Sequence, residues 1–178
     1  MGANKRSIFR IIIMMLIAVI TLSSYKINAY PKLKSYDLSQ LIKNEDMDDV
    51  RLTIYHASLL ILTPYPWKVD DLIRATSEDK IVIEGKELEA YIPILNQINK
   101  DVLNPVWWKK SPYQDVRLYY VFESKKNGKL FDVGLWGFDN SHYVNGIEVK
   151  ENRLFYDVIM PFLPDGEMKQ FIKKWSLG

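Results

Sequence analysis

The stretch that decides the fold is Asp115–Phe138, which reads DVRLYYVFESKKNGKLFDVGLWGF. Every second residue from Val116 to Phe122 is apolar, which is the side-chain period of a β-strand. Asn127-Gly128 follows, and both residues tolerate positive φ, so a tight type I′ turn is predicted there. Leu130–Phe138 then runs back as a second strand. The sequence therefore predicts a central β-hairpin.

The rest of the chain supplies shorter strands and amphipathic helices. Leu130–Phe138 is apolar on both of its faces, so we expect it to be covered on both or to expose an aromatic patch. The continuous apolar run Leu59–Thr63 is predicted as a strand or as the end of a wide hairpin. Further strands are predicted at Val50–Tyr55, at Lys80–Glu84 and on both sides of Asn145-Gly146. Helices are predicted at Asp37–Lys43, Val69–Ala75, Glu87–Asn99 with a kink at Pro93, Arg153–Met160 and Glu167–Trp175.

Short turns between strands, together with helices that are apolar on one side, favour the α+β class. We expect a two-layer sandwich, in which an antiparallel sheet of about four to six strands carries amphipathic helices on one face. An N-terminal hydrophobic helix precedes it. The expected division is a signal peptide or signal anchor at residues 1–29, a spacer at residues 30–49 and a single domain at residues 50–178.

The first 29 residues predict where the protein resides. Lys5, Arg6 and Arg10 precede an uncharged run, Ile11–Tyr25, and a basic segment followed by an apolar one is typical of export signals. We expect contact with the membrane through residues 8–25, either as an uncleaved anchor or as a signal that is cleaved near Ala29. Basic residues before the span favour a C-terminal domain outside the cytoplasm, periplasmic or extracellular. Cleavage would make the domain secreted.

Residues 30–178 contain 20 of the 24 basic residues and all 22 acidic ones, a net charge of about −2. The basic character of the whole chain therefore belongs to the N-terminal segment. A domain without a basic surface is not expected to bind nucleic acid. The chain has no cysteine, which excludes disulfides, thiolate metal ligands and a cysteine nucleophile.

Catalytic signals are weak. The two histidines, His56 and His142, each stand at the end of a predicted strand. Either one, together with Asp132 or Asp139, could serve a hydrolase that acts on a glycan or a peptide. Asp132 lies within a strand between apolar residues, and strand alternation predicts that it faces water. The chain contains no phosphate-binding or nucleophile-elbow motif, and no cofactor and no metal are expected.

Aromatic residues mark the best candidate for a contact surface. Trp107, Trp108 and Tyr113 fall in an irregular segment with two prolines, and tryptophan and tyrosine dominate binding hot spots. Trp67 and Trp136 could join the same surface. The alternative is that these rings cap the end of the core. The leading hypothesis is therefore a non-enzymatic binding module, anchored or exported, with an envelope protein or a glycan as its partner. The small hydrolase is the alternative.

Overall fold

A computed structural model describes residues 5–34, 38–99, 101–106, 115–135 and 141–175. One antiparallel sheet of six strands forms its centre, with the spatial order second, first, third, fourth, fifth and sixth. The strands are β1 (Val50–His56), β2 (Ile81–Glu84), β3 (Leu118–Ser124), β4 (Gly128–Leu135), β5 (His142–Val144) and β6 (Ile147–Val149).

Seven helices accompany the sheet in the described part of the chain. They are α1 (Lys5–Lys34), α2 (Leu38–Lys43), α3 (Val69–Ala75), α4 (Lys86–Glu89), α5 (Ile92–Leu95), α6 (Leu154–Asp157) and α7 (Glu167–Trp175). The predicted helix Glu87–Asn99 is two short helices, because Pro93 removes a hydrogen-bond donor and restarts the helix. The α+β class predicted from the sequence is confirmed, with the antiparallel sheet and the apolar N-terminal helix.

One face of the sheet carries the main hydrophobic core. In register across three strands, Leu52 lies beside Phe122 and Phe122 beside Phe131, and all three side chains are fully buried. Helices α2 and α4–α7 each contribute buried residues to this face, namely Ile42, Leu88, Leu95, Phe155 and Ile172. The apolar stripes of these helices and the alternate positions of the strands therefore close one core.

The opposite face of the sheet carries a second, smaller core. Leu72 of α3 packs there against Tyr119 and Val121, which are the β3 residues that alternate with the main-core set. Helix α3 therefore covers this side of β3. At α3 the sheet has a helix on this face as well, in addition to the helices that cover the main core. The prediction that Leu130–Phe138 is covered on both faces or exposes an aromatic patch depends on residues 136–138, which lie outside the described residues.

The β3–β4 turn differs from the predicted type I′ turn. Ser124 pairs with Gly128, so the loop has three residues, and among Asn127 and Gly128 only Gly128 has positive φ, at 69°. The Ser124 hydroxyl accepts hydrogen bonds from the amides of Lys126 (3.1 Å) and Asn127 (3.3 Å). This side-chain bonding favours a longer loop that ends in a left-handed glycine. The second hairpin, by contrast, has positive φ at both Asn145 (46°) and Gly146 (77°).

The prediction that Leu59–Thr63 forms a strand or the end of a wide hairpin is wrong. Residues 57–67 form a loop that leaves the sheet after β1 and returns at α3. An apolar run without alternation does not by itself distinguish a strand from another structure. Pro64 and Pro66, which cannot donate to a ladder, follow the run directly. The apolar residues of this run are thus exposed on a loop and not part of the sheet, with Leu62 97 % exposed.

Helix α1 contains the one stretch of the described residues that is long and apolar enough to cross a membrane, Ser7–Ser24. At 1.5 Å per residue, its 18 residues span about 27 Å, close to the ~30 Å hydrocarbon core of a bilayer. The Thr21 hydroxyl donates to the carbonyls of Ile17 and Ala18, and the Ser24 hydroxyl donates to Ile20. These bonds satisfy polar groups that would otherwise be costly in lipid.

Candidate functional site

A cleft of about 650 Å³ opens beside the end of β1. It lies between the last residue of β1, the end of α3 and the segment that precedes α7. Most of its lining side chains are apolar, and His56 and Asp79 are its titratable groups. The lining residues are His56, Ala57, Ser58, Ile61, Trp67, Ala75, Thr76, Asp79, Ile81, Phe162 and Pro164.

The first wall of the cleft is the loop 57–67, which is tied down at both ends. At its start, the Glu167 carboxylate accepts hydrogen bonds from the Ser58 hydroxyl (2.8 Å) and the Leu59 amide (2.9 Å). Glu167 is the first residue of α7, where a negative charge is favoured by the helix dipole. One side chain therefore stabilises both the helix start and the loop.

The end of the loop is held by an ion pair between a buried arginine and a partly buried aspartate. The Arg117 guanidinium donates to Asp115 (3.1 Å) and to the Thr63 hydroxyl (3.0 Å), and it lies 4.9 Å from the ring centroid of Trp67. Asp115 also accepts the Trp67 amide at 2.8 Å. Arg117 is only 4 % exposed. Stacking and pairing of this kind suit a planar guanidinium and fix the indole of Trp67 at the cleft.

Sequence reasoning missed the role of Arg117 and Asp115. The available signal was an arginine at an alternate position of a strand that is otherwise apolar, since such a charge must be either paired or exposed.

The second wall of the cleft is formed by a helix. It is the end of α3, where the Thr76 hydroxyl donates to the carbonyl of Leu72 (2.8 Å) and Leu72 is fully buried.

The electrostatics of the cleft centre on His56. Burial lowers the pKa of the His56 imidazole below its ordinary value of 6.5, and the negative charge of Asp79 opposes this in part. Burial disfavours the protonated ring because it removes the water that solvates the charge. The imidazole is therefore neutral at neutral pH, and Asp79 supplies the negative charge among the lining residues.

The structure brings together two residues that the sequence assigned to different hypotheses. The same cleft is lined by His56, a catalytic candidate of the hydrolase hypothesis, and by Trp67, a candidate contact residue. The other aromatic candidates, Trp107, Trp108, Tyr113 and Trp136, lie outside the described residues, and so does Asp139. For those five residues, the assignments stay predictions.

His142 does not join His56. Its side chain is fully buried and packs against Phe155 and Tyr156, with ring centroids 5.5 and 5.1 Å apart. The register aligns His56, Leu118, Leu135 and His142 in one row across four strands. Three strand spacings separate the two histidines by about 14 Å, which is too far for them to bind one metal ion or act on one bond.

Asp132 is buried, so the expectation that it faces water is wrong. It lies on the opposite face of the sheet from the row that holds His56, and its side chain is 10 % exposed. Lys129 forms an ion pair with it, and the Tyr119 hydroxyl bonds to it. Burial, and then the Asp132 charge, raise the pKa of Tyr119 well above its usual value. Asp132 thus has a lysine and a tyrosine as structural partners.

A smaller acidic pocket lies at the other end of the sheet. It measures about 120 Å³ and contains Asp48, Asp49, Glu84 and Glu123. Its charges are offset by Arg51, which pairs with Glu123 at 2.9 Å, and by Lys125, which lies 3.5 Å from Asp49. Within the described ranges, no three histidine or acidic side chains converge as a metal site.

Fold and cleft together define an α+β protein with an apolar N-terminal helix and an apolar cleft at one end of its sheet. Comparison of the chain with protein-family models, with curated proteins and with solved structures finds no match. The chemistry of the cleft and its loop is therefore what indicates a function for this chain.

Proposed function

We propose that this chain is a non-enzymatic binding module that α1 holds at the membrane, with the domain outside the cytoplasm. In this proposal, the cleft beside β1 receives part of an envelope partner. The observation that carries the proposal is the cleft itself. Its lining is mostly apolar, the half-buried indole of Trp67 is fixed at its wall, and exposed aliphatic side chains of the loop lie beside it. Surfaces that desolvate an aromatic anchor are where binding energy concentrates.

The chemistry of the lining favours a protein partner over a glycan. Ile61, Phe162 and Pro164 offer apolar contacts, and one side of the Trp67 ring is already occupied by Arg117. Sugar binding requires open aromatic faces and several polar groups around them. An apolar side chain of a partner fits these lining residues better, and a glycan is the other outcome of the test below.

The alternative function, a small hydrolase, is supported only by the presence of His56 and Asp79 in one cleft, and the candidate residues predicted from the sequence are not brought together in the described ranges. His56 and His142 are about 14 Å apart by strand spacing, and Asp132 lies on the other face of the sheet. A general acid–base pair must lie within hydrogen-bond reach of the same reacting atoms. The separation of these groups favours the binding module over the hydrolase.

The partner can be identified by photo-crosslinking from inside the cleft. A photoreactive phenylalanine analogue at Phe162 of the full chain should give one discrete adduct in intact envelopes, because Phe162 lines the cleft. Ala75→Trp, which fills the cleft from an exposed position, should abolish the adduct, and Asp70→Trp, on the same helix but outside the lining, should leave it. Equal adducts from position 162 and from Lys126, at the far end of the sheet, would contradict the proposal.

Orientation across the membrane needs a separate test. Because the chain has no cysteine, Lys126→Cys introduces a single label site in an exposed turn. A membrane-impermeant maleimide should label it in intact cells or, where an outer membrane exists, once that membrane is made permeable. Labelling that requires disruption of the inner membrane would place the domain in the cytoplasm.

Trp108→Ala tests the remaining aromatic prediction, and unchanged partner capture would remove Trp108 from the binding surface.

A further inference from the structure

The tip of the loop 57–67 exposes more aliphatic surface than any other loop of the described chain. Leu60 is 80 % exposed, Ile61 46 %, Leu62 97 % and Tyr65 59 %. Apart from Val82, the other exposed large apolar side chains in the described ranges all belong to α1. A contiguous exposed apolar patch marks an interaction surface. We propose that this tip inserts into the interfacial layer of the bilayer in which α1 is anchored.

The loop is held in a fixed shape that presents the tip. Its start is tied to Glu167 through Ser58 and the Leu59 amide. Its end is tied to the Arg117–Asp115 pair through Thr63 and the Trp67 amide. Between these two anchors, the exposed side chains of Leu60 and Leu62 belong to neither core. Preorganised exposure of this kind lowers the entropic cost of binding.

The composition of the loop suits a lipid interface. The eleven residues from Ala57 to Trp67 carry no charge. They combine aliphatic residues at the tip with Tyr65 and Trp67 beside it, and these two aromatic types are enriched at the level of the lipid headgroups. Irregular backbone does not enter the hydrocarbon core exposed to lipid. We therefore place the backbone among the headgroups, with the side chains of Leu60 and Leu62 reaching the acyl boundary.

The bilayer lies within reach of the loop. Between Ser24, the end of the apolar span, and Lys34, the helix α1 continues for about 15 Å, at 1.5 Å per residue. Three more residues, extended, reach at most about 10 Å further. The seven residues of β1 separate the two ends of the sheet by about 20 Å. The connection is therefore long enough for the far end of the sheet to lie on the same membrane surface.

Two points of attachment would give the cleft a defined orientation. Ile61 and Trp67 belong to both the loop and the cleft, so insertion of the tip places the mouth of the cleft at the membrane surface. The partner class that follows is the membrane-proximal part of an integral membrane protein. This inference depends on the anchoring in the proposed function, and it goes beyond that proposal by specifying where the cleft faces.

The test measures the depth of the loop tip in a bilayer. The full chain carrying Leu62→Cys, labelled with an environment-sensitive fluorophore, is reconstituted into phosphatidylcholine–phosphatidylglycerol vesicles that contain a lipid quencher at a shallow acyl position. The matched control is Lys126→Cys with the same fluorophore, at the opposite end of the sheet. We expect a blue-shifted emission and several-fold stronger lipid quenching at position 62, with weaker quenching by aqueous iodide.

The outcomes distinguish failure of the anchoring from failure of the insertion. Flotation of the vesicles reports on α1, and failure of the chain to float with them overturns the anchoring and the insertion together. If the chain floats but position 62 is as accessible to iodide as position 126, only the insertion is overturned. Leu60→Glu in the Leu62→Cys background should reduce lipid quenching several-fold if the tip inserts. Unchanged quenching in that variant would also contradict the inference.

Discussion

The two ends of the sheet are built for different surroundings. At the β3–β4 turn, Glu45 accepts hydrogen bonds from Ser124 and Asn127, and Lys125 approaches Asp49, so charged and polar groups meet water and one another. Hydrogen bonding from Ser124 and Asn127 lowers the pKa of Glu45, which keeps it ionised. At the opposite end, the loop 57–67 carries no charged residue and exposes leucine and tyrosine.

The difference lies in where each end places its charges. The turn end displays its charges on the surface, where an ion pair contributes little to stability. The loop end instead pairs a buried arginine with a partly buried aspartate, next to an apolar tip. Desolvating these charges is unfavourable, and the pair that they form stabilises the conformation of a loop that has no hydrophobic core of its own. A surface held in that way is suited to contact with another apolar phase or partner.

The largest expected effect comes from breaking the buried pair. Arg117→Ala removes the buried guanidinium and leaves the partly buried Asp115 without its charged partner, so we expect the free energy of unfolding of the full chain in detergent to fall by about 3 kcal/mol. Arg51→Ala is the matched control at the turn end, where the pair with Glu123 is about half exposed. That variant should lose about 1 kcal/mol or less.

Urea unfolding followed by circular dichroism measures both variants. Equal losses for Arg117→Ala and Arg51→Ala would remove the contrast between the two ends. If Arg117→Ala does not fold, Arg117→Lys keeps the charge and removes the planar stacking on Trp67. An intermediate loss in the lysine variant is expected.

A smaller, local effect is expected at the start of the loop. Glu167→Gln weakens the hydrogen bonds to Ser58 and to the Leu59 amide, and it should cost about 1 kcal/mol of local stability. This corresponds to roughly five-fold faster hydrogen exchange at the Leu59 amide. Glu89→Gln, an exposed position in α4, is the control and should leave that exchange rate unchanged. No change in the Glu167 variant would mean that the loop does not depend on this anchor.

The smallest effect is a pH dependence at the cleft. The pKa of His56 is lower in the folded chain than its ordinary value of 6.5, so the unfolded chain binds the proton first as the pH falls. The free energy of unfolding should therefore decrease as the pH drops through 6.5 towards the folded pKa. His56→Asn removes this contribution. We expect the variant to lose less stability than the wild type between pH 7.5 and 5.5, as measured by urea unfolding at each pH.

The contribution of His142 to the pH dependence is the same in the wild type and in the His56→Asn variant, so it cancels in the comparison. A wild type and a His56→Asn variant with the same pH dependence would show that His56 titrates as it does in the unfolded chain. In that case, the desolvation of the cleft at His56 would be contradicted.

Local patterns were sufficient for most of the elements. The hairpin strands, the Asn145-Gly146 turn and the bounds of α3 and α7 follow from alternation, turn residues and helical spacing. Where a side chain changed the local geometry, the pattern failed. Ser124 lengthens the first turn by bonding to the amides of Lys126 and Asn127. That contact is visible only once the hairpin has formed.

The candidate site was predicted only in part. His56 and Trp67 were both identified as candidates, but the sequence does not predict that they line one cleft. They are separated by 10 residues, and only the path of the loop 57–67 and its packing beside α3 place them together. The apolar run at Leu59–Thr63 was assigned to the sheet, since hydrophobicity reports burial on average and not at a given position. Its exposure depends on Glu167 and on the Arg117–Asp115 pair, which are distant in sequence.

The sequence by itself determined the apolar N-terminal helix, the central hairpin and the α+β class, because each depends on interactions between residues close in the chain. The tertiary structure alone decided that an arginine is buried, that an apolar loop is exposed, and that one histidine opens onto a cleft while the other lies in the core. The physical reason is that burial is set by strand register and by packing between distant segments.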